Sequence, residues 1–429
     1  MKQGTAAKGL CIQIFGFVCN LFITIELARQ LELSAFGQVS ILIALSTIGV
    51  LCFTAPLVDL TVRTVGAVHS GQASPSIYSE MSAHSNALTL LIAIALSLIC
   101  IGLACMIDVF SFIDMMLTAI TTVCISLTTL VGAAFRGENR ILLGQLIQTA
   151  AFPFVFLLSL LSLSSAADPS DYHRIVELRA LAATGICLLV LGIKLRLTEL
   201  EILFFSRPRF KRPLLRTSLQ LFQIGLIGLL IRQMGLFTVA IFAGLEASGQ
   251  FRLILLAIMV IDQLAAGVNA TYQKAFATVG IDEPLEVLRL SVVKIYRTLL
   301  CLGLTASLSF FFVGEFLIKS IFGPEFLLCF YPILFTLIVY SISFIFGPSS
   351  IYLIMKEEER AVKKIMFVSL VINLCVTFAV SLRDPLWGGS IGFLCAIITI
   401  QFLSMRRCSE YFHFDFLIVR DGRLVGRGR

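Results

Sequence analysis

Charge is scarce in this chain. Only 14% of its 429 residues are Asp, Glu, Lys or Arg, where a soluble globular domain carries about a quarter. That shortage leaves no room for a sizeable water-exposed domain. Catalytic signatures are missing too. There is no GxxxxGKS/T, which excludes a P-loop ATPase, and no HExxH zinc motif. The only histidines, His69, His84, His173 and His413, are too scattered for a metal cluster. No CxxC occurs among the 12 cysteines, and all but Cys408 fall within apolar runs. They read as small buried hydrophobes, with neither a disulfide framework nor metal binding expected. No cofactor is expected.

Apolar sequence is abundant. Hydrophobic residues make up 58% of the chain, 36 of them Phe, and the mean hydropathy is +0.97. Twelve runs stand near 9–30, 37–58, 83–107, 110–134, 141–163, 175–195, 217–243, 249–272, 291–313, 328–355, 364–382 and 386–405. Each is long enough to cross a hydrocarbon core of about 30 Å as a helix rising 1.5 Å per residue. Barrel strands would alternate in polarity and be about half that length. The expected fold is an all-α polytopic membrane protein of about 12 transmembrane helices. The first run is too long for a signal peptide and no small-residue cleavage site follows it, so it is expected to be retained.

Basic residues orient the spans. With the N-terminus in the cytoplasm, 26 of the 33 Lys/Arg fall on the cytoplasmic face and six, counted with the span ends, on the other: Arg29, Arg174, Arg179, Arg252, Lys319 and Arg383. Arg232 stands alone inside a span. This bias predicts both termini in the cytoplasm. The net charge of +7 is then a topology signal that meets anionic membrane lipids, and no nucleic acid is expected as a partner. The longest outer loop is about Ser164–Arg174. With Asp168, Pro169 and Asp171 it reads as a turn rather than a catalytic loop, which points away from an enzyme.

The longest basic cytoplasmic connection, Lys194–Arg216, divides six spans from six. "LELSAFGQ" (31–38) follows the first span, and "LEASGQ" (245–250) follows the seventh. Both occupy the same outer turn. Six spans per half insert each copy the same way up, which predicts two pseudo-symmetric six-helix bundles around a central cavity that opens alternately to each side. The expected divisions are a bundle at 1–195, a basic linker at 196–216, a second bundle at 217–408 and a basic cytoplasmic tail at 409–429.

Local stretches carry a resemblance across the whole chain. "ELARQLELSAFG" ends the first span, "AAFRGENR" (133–140) follows the fourth, "GLEASGQF" (244–251) follows the seventh, and "IFGPEF" (321–326) precedes the tenth. With the span number and the central basic loop, these resemble polysaccharide flippases of the multidrug/oligosaccharidyl-lipid/polysaccharide exporter superfamily, the O-antigen-type translocases. Glu32 stands where that family commonly has glycine, and Phe251 where it has tyrosine. The resemblance implies a bacterial inner-membrane transporter that moves an undecaprenyl-pyrophosphate-linked oligosaccharide to the periplasmic leaflet, with polymerase or export proteins as further partners.

Such a substrate has an anionic head group, and this frames the charged candidates. Arg232 lies about 16 Å from the outer end of its span at 1.5 Å per residue, a depth at which an arginine facing lipid is costly. Its fork suits a pyrophosphate. Asp262, at comparable depth in the next span, is its natural partner, so a substrate contact and an internal ion pair both stand. Glu26 and Arg29 are three apart at the outer mouth of the first span, where a helix pair also explains them. Arg252 faces the substrate or snorkels to lipid heads. Arg63 and Arg136, with Arg140, could collect the head group at entry, or serve only as positive-inside residues. Asp114 reads as a proton or cation site, or as an interface acid bonded to a nearby Ser or Thr. Pro56, Pro153 and Gly347-Pro348 predict kinks. The alternatives kept are a multidrug or organic-cation exporter of the same superfamily, and a membrane-bound polysaccharide polymerase or ligase.

Overall fold

Water is absent from the hydrocarbon, so a backbone there must satisfy its own polar groups, and helices do so within one segment. The computed structural model describes residues 3–69, 110–163, 172–197, 212–278, 285–355 and 358–412. Among them there are helices and no strands. Eleven of the twelve expected spans lie on these helices; the one at 83–107 lies outside the described residues, as do most of the central linker and the C-terminal tail. The chain divides into two compact units, 1–226 and 227–429. The division falls inside a helix, somewhat beyond the expected linker at 196–216.

Unit 1 holds α1 (Gln3–Gln30), α2 (Leu33–His69), α3 (Phe112–Gly137), α4 (Ile141–Leu146), α5 (Phe152–Leu163) and α6 (Tyr172–Leu197). Helix α3 packs between α2 and α6, α5 lies against α6, and α1 covers α4 and α5. A core of Val131, Phe135, Ile147, Ile186 and Val190 joins α3 to α6. A π-turn, Ile147–Ala151, links α4 to α5. Its cause is local. Pro153 has no N–H to give the carbonyl of Thr149, and Gly16 of α1 lies against that same carbonyl with no room for a side chain. The turn between α3 and α4 is tight, with Asn139 at φ 67°, a conformation asparagine tolerates. Gly132 and Gly144 then bring α3 and α4 together backbone to backbone, as small residues do between membrane helices. Pro56 leaves α2 continuous as a helix.

Unit 2 continues α7 (Arg212–Thr278), followed by α8 (Leu285–Ile321), α9 (Phe330–Ser343), α10 (Ser349–Met355), α11 (Glu359–Ser381) and α12 (Pro385–Phe412). Helix α7 is two spans joined at Gly244, where φ is 82° and ψ −174°. The chain reverses there because glycine alone takes that conformation without strain. Between α9 and α10 a 3₁₀ turn, Phe344–Phe346, runs into Gly347 and Pro348, the break the sequence expects. Both units are inside-out relative to soluble proteins. Buried polar residues such as Ser126, Thr336, Asn373 and Thr377 pack inward, while Leu181, Leu188, Phe312 and Phe316 are largely exposed.

Hydrogen bonds also test the alternation of the spans. Gln250 Nε2 donates to the Glu325 carbonyl at 2.8 Å, joining two turns assigned to the outer face. His173 and Tyr172 meet Asp114, also on the outer face. Lys194 meets Glu138, and Arg407 lies 3.6 Å from Glu358, both on the cytoplasmic face. Each pair joins residues that the sequence topology puts on one side.

Candidate functional site

Arg232 and Asp262 sit on the two arms of α7. Arg232 Nη1 lies 2.8 Å from Asp262 Oδ2. The guanidinium N–H is not aimed along that line, so this oxygen has a charge contact rather than a directed hydrogen bond. The directed bond comes from Tyr340, whose hydroxyl donates to Asp262 Oδ1. Exposure differs within the pair: the Asp262 side chain is 14% exposed and that of Arg232 is 51%. The carboxylate is held inside, and the guanidinium reaches out of it.

Neighbouring bonds fix this geometry. Asn373 of α11 donates to the Ile231 carbonyl at 2.7 Å, and Thr377 orients that amide by donating to its oxygen at 2.8 Å. Gly235, one turn on from Arg232, lies against the Phe251 ring and Gly389. Tyr340 stands near Phe344 and edge-on to Phe393. A cavity of about 250 Å³ opens here, with Gly228, Arg232, Asp262, Tyr296, Tyr340 and Gln401 among its walls. All of its lining residues belong to unit 2. Arginine carries five N–H donors in a planar fork. One carboxylate oxygen cannot occupy them all, so a half-exposed, paired Arg232 still offers donors to an anionic group.

The other charges named from the sequence lie apart from this cavity. Glu26 accepts from Gln30 Nε2 at 2.8 Å, and Arg29 is exposed. Arg252 is half-buried on α7, beyond the kink. Arg136 flanks Gly144 at the α3–α4 turn. The Arg63 side chain lies outside the described residues. None of the four described ones lines the unit 2 cavity.

Asp114 is 1% exposed and saturated with partners. It forms a capping box with Ser111, accepts from Tyr172 Oη at 3.1 Å, and lies 2.8 Å from His173 Nδ1. This arrangement fits the interface-acid reading and clamps α3 to α6. Asp114→Ala is expected to cost about 2–4 kcal/mol, combining a lost cap of about 1 kcal/mol with a charged hydrogen bond of about 1.5–3 kcal/mol. A lowered thermal midpoint of the purified protein would register it; an unchanged midpoint would deny the clamp.

Two charges are more deeply buried than their places near span ends suggest. Arg179, counted with the outer face, is only 8% exposed and lines a second cavity of about 260 Å³ inside unit 1. Lys194, counted with the cytoplasmic loop, is 1% exposed. Both lie near span ends, where a sequence alone reads an interfacial charge. The other described residues lining the unit 1 cavity, from α1, α2, α3, the π-turn, α5 and α6, are uncharged. Tyr340 and Gln401 were also missed; their only signal is a polar group within an apolar run.

No known family model and no curated protein sequence matches the chain. Solved structures do. An inward-facing multidrug resistance MATE family transporter of the MOP superfamily aligns with a TM-score of 0.68, at 14% identity, over 94% of this chain and 98% of its own. The chain has the fold of MATE transporters. An outward-facing structure of a multidrug resistance MATE family transporter gives 0.64 at 12% identity, covering 95% of each chain. A mutant of the Vibrio cholerae MATE transporter VcmN gives 0.57 at 12% identity, over 97% of this chain and 99% of its own. At such identities the likeness to MATE proteins speaks for the fold.

Proposed function

We propose that this chain is a bacterial inner-membrane transporter, with both termini cytoplasmic. It carries an undecaprenyl-pyrophosphate-linked oligosaccharide to the outer leaflet by alternating access, feeding polysaccharide polymerase or export proteins. One observation carries the reading: each unit's cavity contains an arginine, and the one carboxylate among the described lining residues, Asp262, is already held by Arg232 and Tyr340. Walls of that kind suit an anionic head group. In either cavity a cation would meet a guanidinium group, and in the unit 2 cavity the carboxylate is already in charge contact with Arg232. Arg232 receives the pyrophosphate on its remaining donors, and Asp262 holds it in place when substrate is absent. Both steps use the permanent charge and planar fork of arginine.

A second reading has its own support. Two of the solved neighbours are multidrug resistance transporters by name, and they favour the multidrug or organic-cation alternative over the lipid-linked one. Asp262 would be its cation site, vacated by Arg232 as substrate enters. Deleting the gene separates the two. On the first reading, lipid-linked repeat units accumulate on the cytoplasmic leaflet and efflux of cationic dyes is unchanged. Normal export with lost dye efflux would establish the second, and accumulation on the outer leaflet would point to a polymerase or ligase.

A further inference from the structure

An arginine and a carboxylate commonly close on each other fork to fork, through two parallel N–H···O bonds. The pair in unit 2 has not closed. Arg232 reaches only Oδ2 of Asp262, at 2.8 Å and off the line of its N–H. The other oxygen, Oδ1, takes the hydroxyl of Tyr340 instead. That hydroxyl is held in place by packing. Tyr340 is buried, with its ring edge-on to Phe393 at 5.8 Å and beside Phe344 at 5.9 Å. Ser343 donates to the Tyr340 carbonyl at 2.6 Å, fixing the last turn of α9. Tyrosine also suits the task chemically. Its hydroxyl fills an acceptor with one proton and brings no positive charge, so the attraction between Asp262 and Arg232 is kept.

We propose that Tyr340 is a positioning residue for anion binding: by occupying Oδ1 it stops Asp262 from closing on Arg232, and so keeps the guanidinium open to the head group. The carboxylate then keeps Arg232 at the cavity without capturing it. An arriving anion has one off-line contact to displace rather than two directed bonds. Without the hydroxyl, Oδ1 would be a buried acceptor with no partner, a costly state. The guanidinium relieves it by turning onto both oxygens, a movement open to a side chain that is 51% exposed. The inference rests on the anionic head group proposed above, but part of its test needs no substrate.

The probes are phenylglyoxal, which modifies accessible arginines, and inorganic pyrophosphate, both applied to the purified full chain. Modification of Arg232 is followed by peptide mass spectrometry. In Tyr340→Phe it should slow about tenfold, and pyrophosphate should bind about tenfold more weakly, a change of about 1.4 kcal/mol. Asp262→Asn should abolish the effect, so that adding Tyr340→Phe to it changes neither quantity. A tyrosine that merely braced α9 would weaken binding in both backgrounds, and that result would overturn the proposal. Unchanged or faster modification in Tyr340→Phe would overturn it as well. Misfolding of that variant leaves the wild type to decide. If Arg232 reacts about tenfold faster or more in Asp262→Asn than in the wild type, the pair is already closed and the proposal fails; similar rates support it. Failure of the lipid-linked reading looks different: Tyr340→Phe still slows modification of Arg232, but pyrophosphate does not shield that residue and gene deletion strands no lipid-linked repeat units.

Discussion

Arg232→Ala is expected to lower flipping of the lipid-linked oligosaccharide by roughly 30-fold or more, with the protein still folded and inserted. Deleting the guanidinium removes a charge-assisted hydrogen bond to the substrate, worth about 1.5–3 kcal/mol, and each 1.4 kcal/mol is about tenfold. The fold should tolerate the change because the Arg232 side chain is half-exposed and Asp262 keeps its bond from Tyr340. Arg232→Lys keeps the charge but loses the fork, so intermediate activity is expected. Asp262→Asn is the informative companion. If Asp262 only holds Arg232 between cycles, the variant keeps substrate binding and slows release. If Asp262 binds a cation, transport is abolished. Flipping rates in whole cells, normalised to the protein inserted, check all three.

Lys194→Met is expected to destabilise unit 1 by about 3–5 kcal/mol, the usual cost of removing one partner from a buried pair. Lys194 meets the Glu138 carboxylate and lies over the Phe135 ring, 4.7 Å from its centre. With the lysine gone, Glu138 sits 16% exposed without that cation. Replacing both, Lys194→Met with Glu138→Leu, should recover much of the loss, since two apolar groups need no compensation. Thermal unfolding of the four proteins in detergent gives the coupling directly. Simple additivity of the two changes would show that the pair is not a structural latch.

Much of this was legible in the sequence. The apolar runs fix the spans because lipid admits few alternatives to a helix. Gly244 and Gly347-Pro348 mark breaks by their own backbone chemistry. Arg232 and Asp262 lie at comparable depth in neighbouring spans, which marks them as candidate partners; that their side chains face one another is decided by packing. Other features depend on what lies across the fold. The hydroxyl of Tyr340 finds Asp262 from 78 positions away. Arg179 and Lys194 sit near span ends, and only the packing of α6 against its neighbours decides that they turn inward. The π-turn lies just before Pro153 and against Gly16 of α1, a contact between helices that the sequence does not show.

The most direct measurement uses purified protein in lipid vesicles, loaded either with a lipid-linked oligosaccharide or with a cationic dye. Protein-dependent movement of the lipid between leaflets, lost in Arg232→Ala, with no dye transport, is the expected result. Dye transport that depends on Asp262, without movement of the lipid, would contradict it and make this chain a cation exporter.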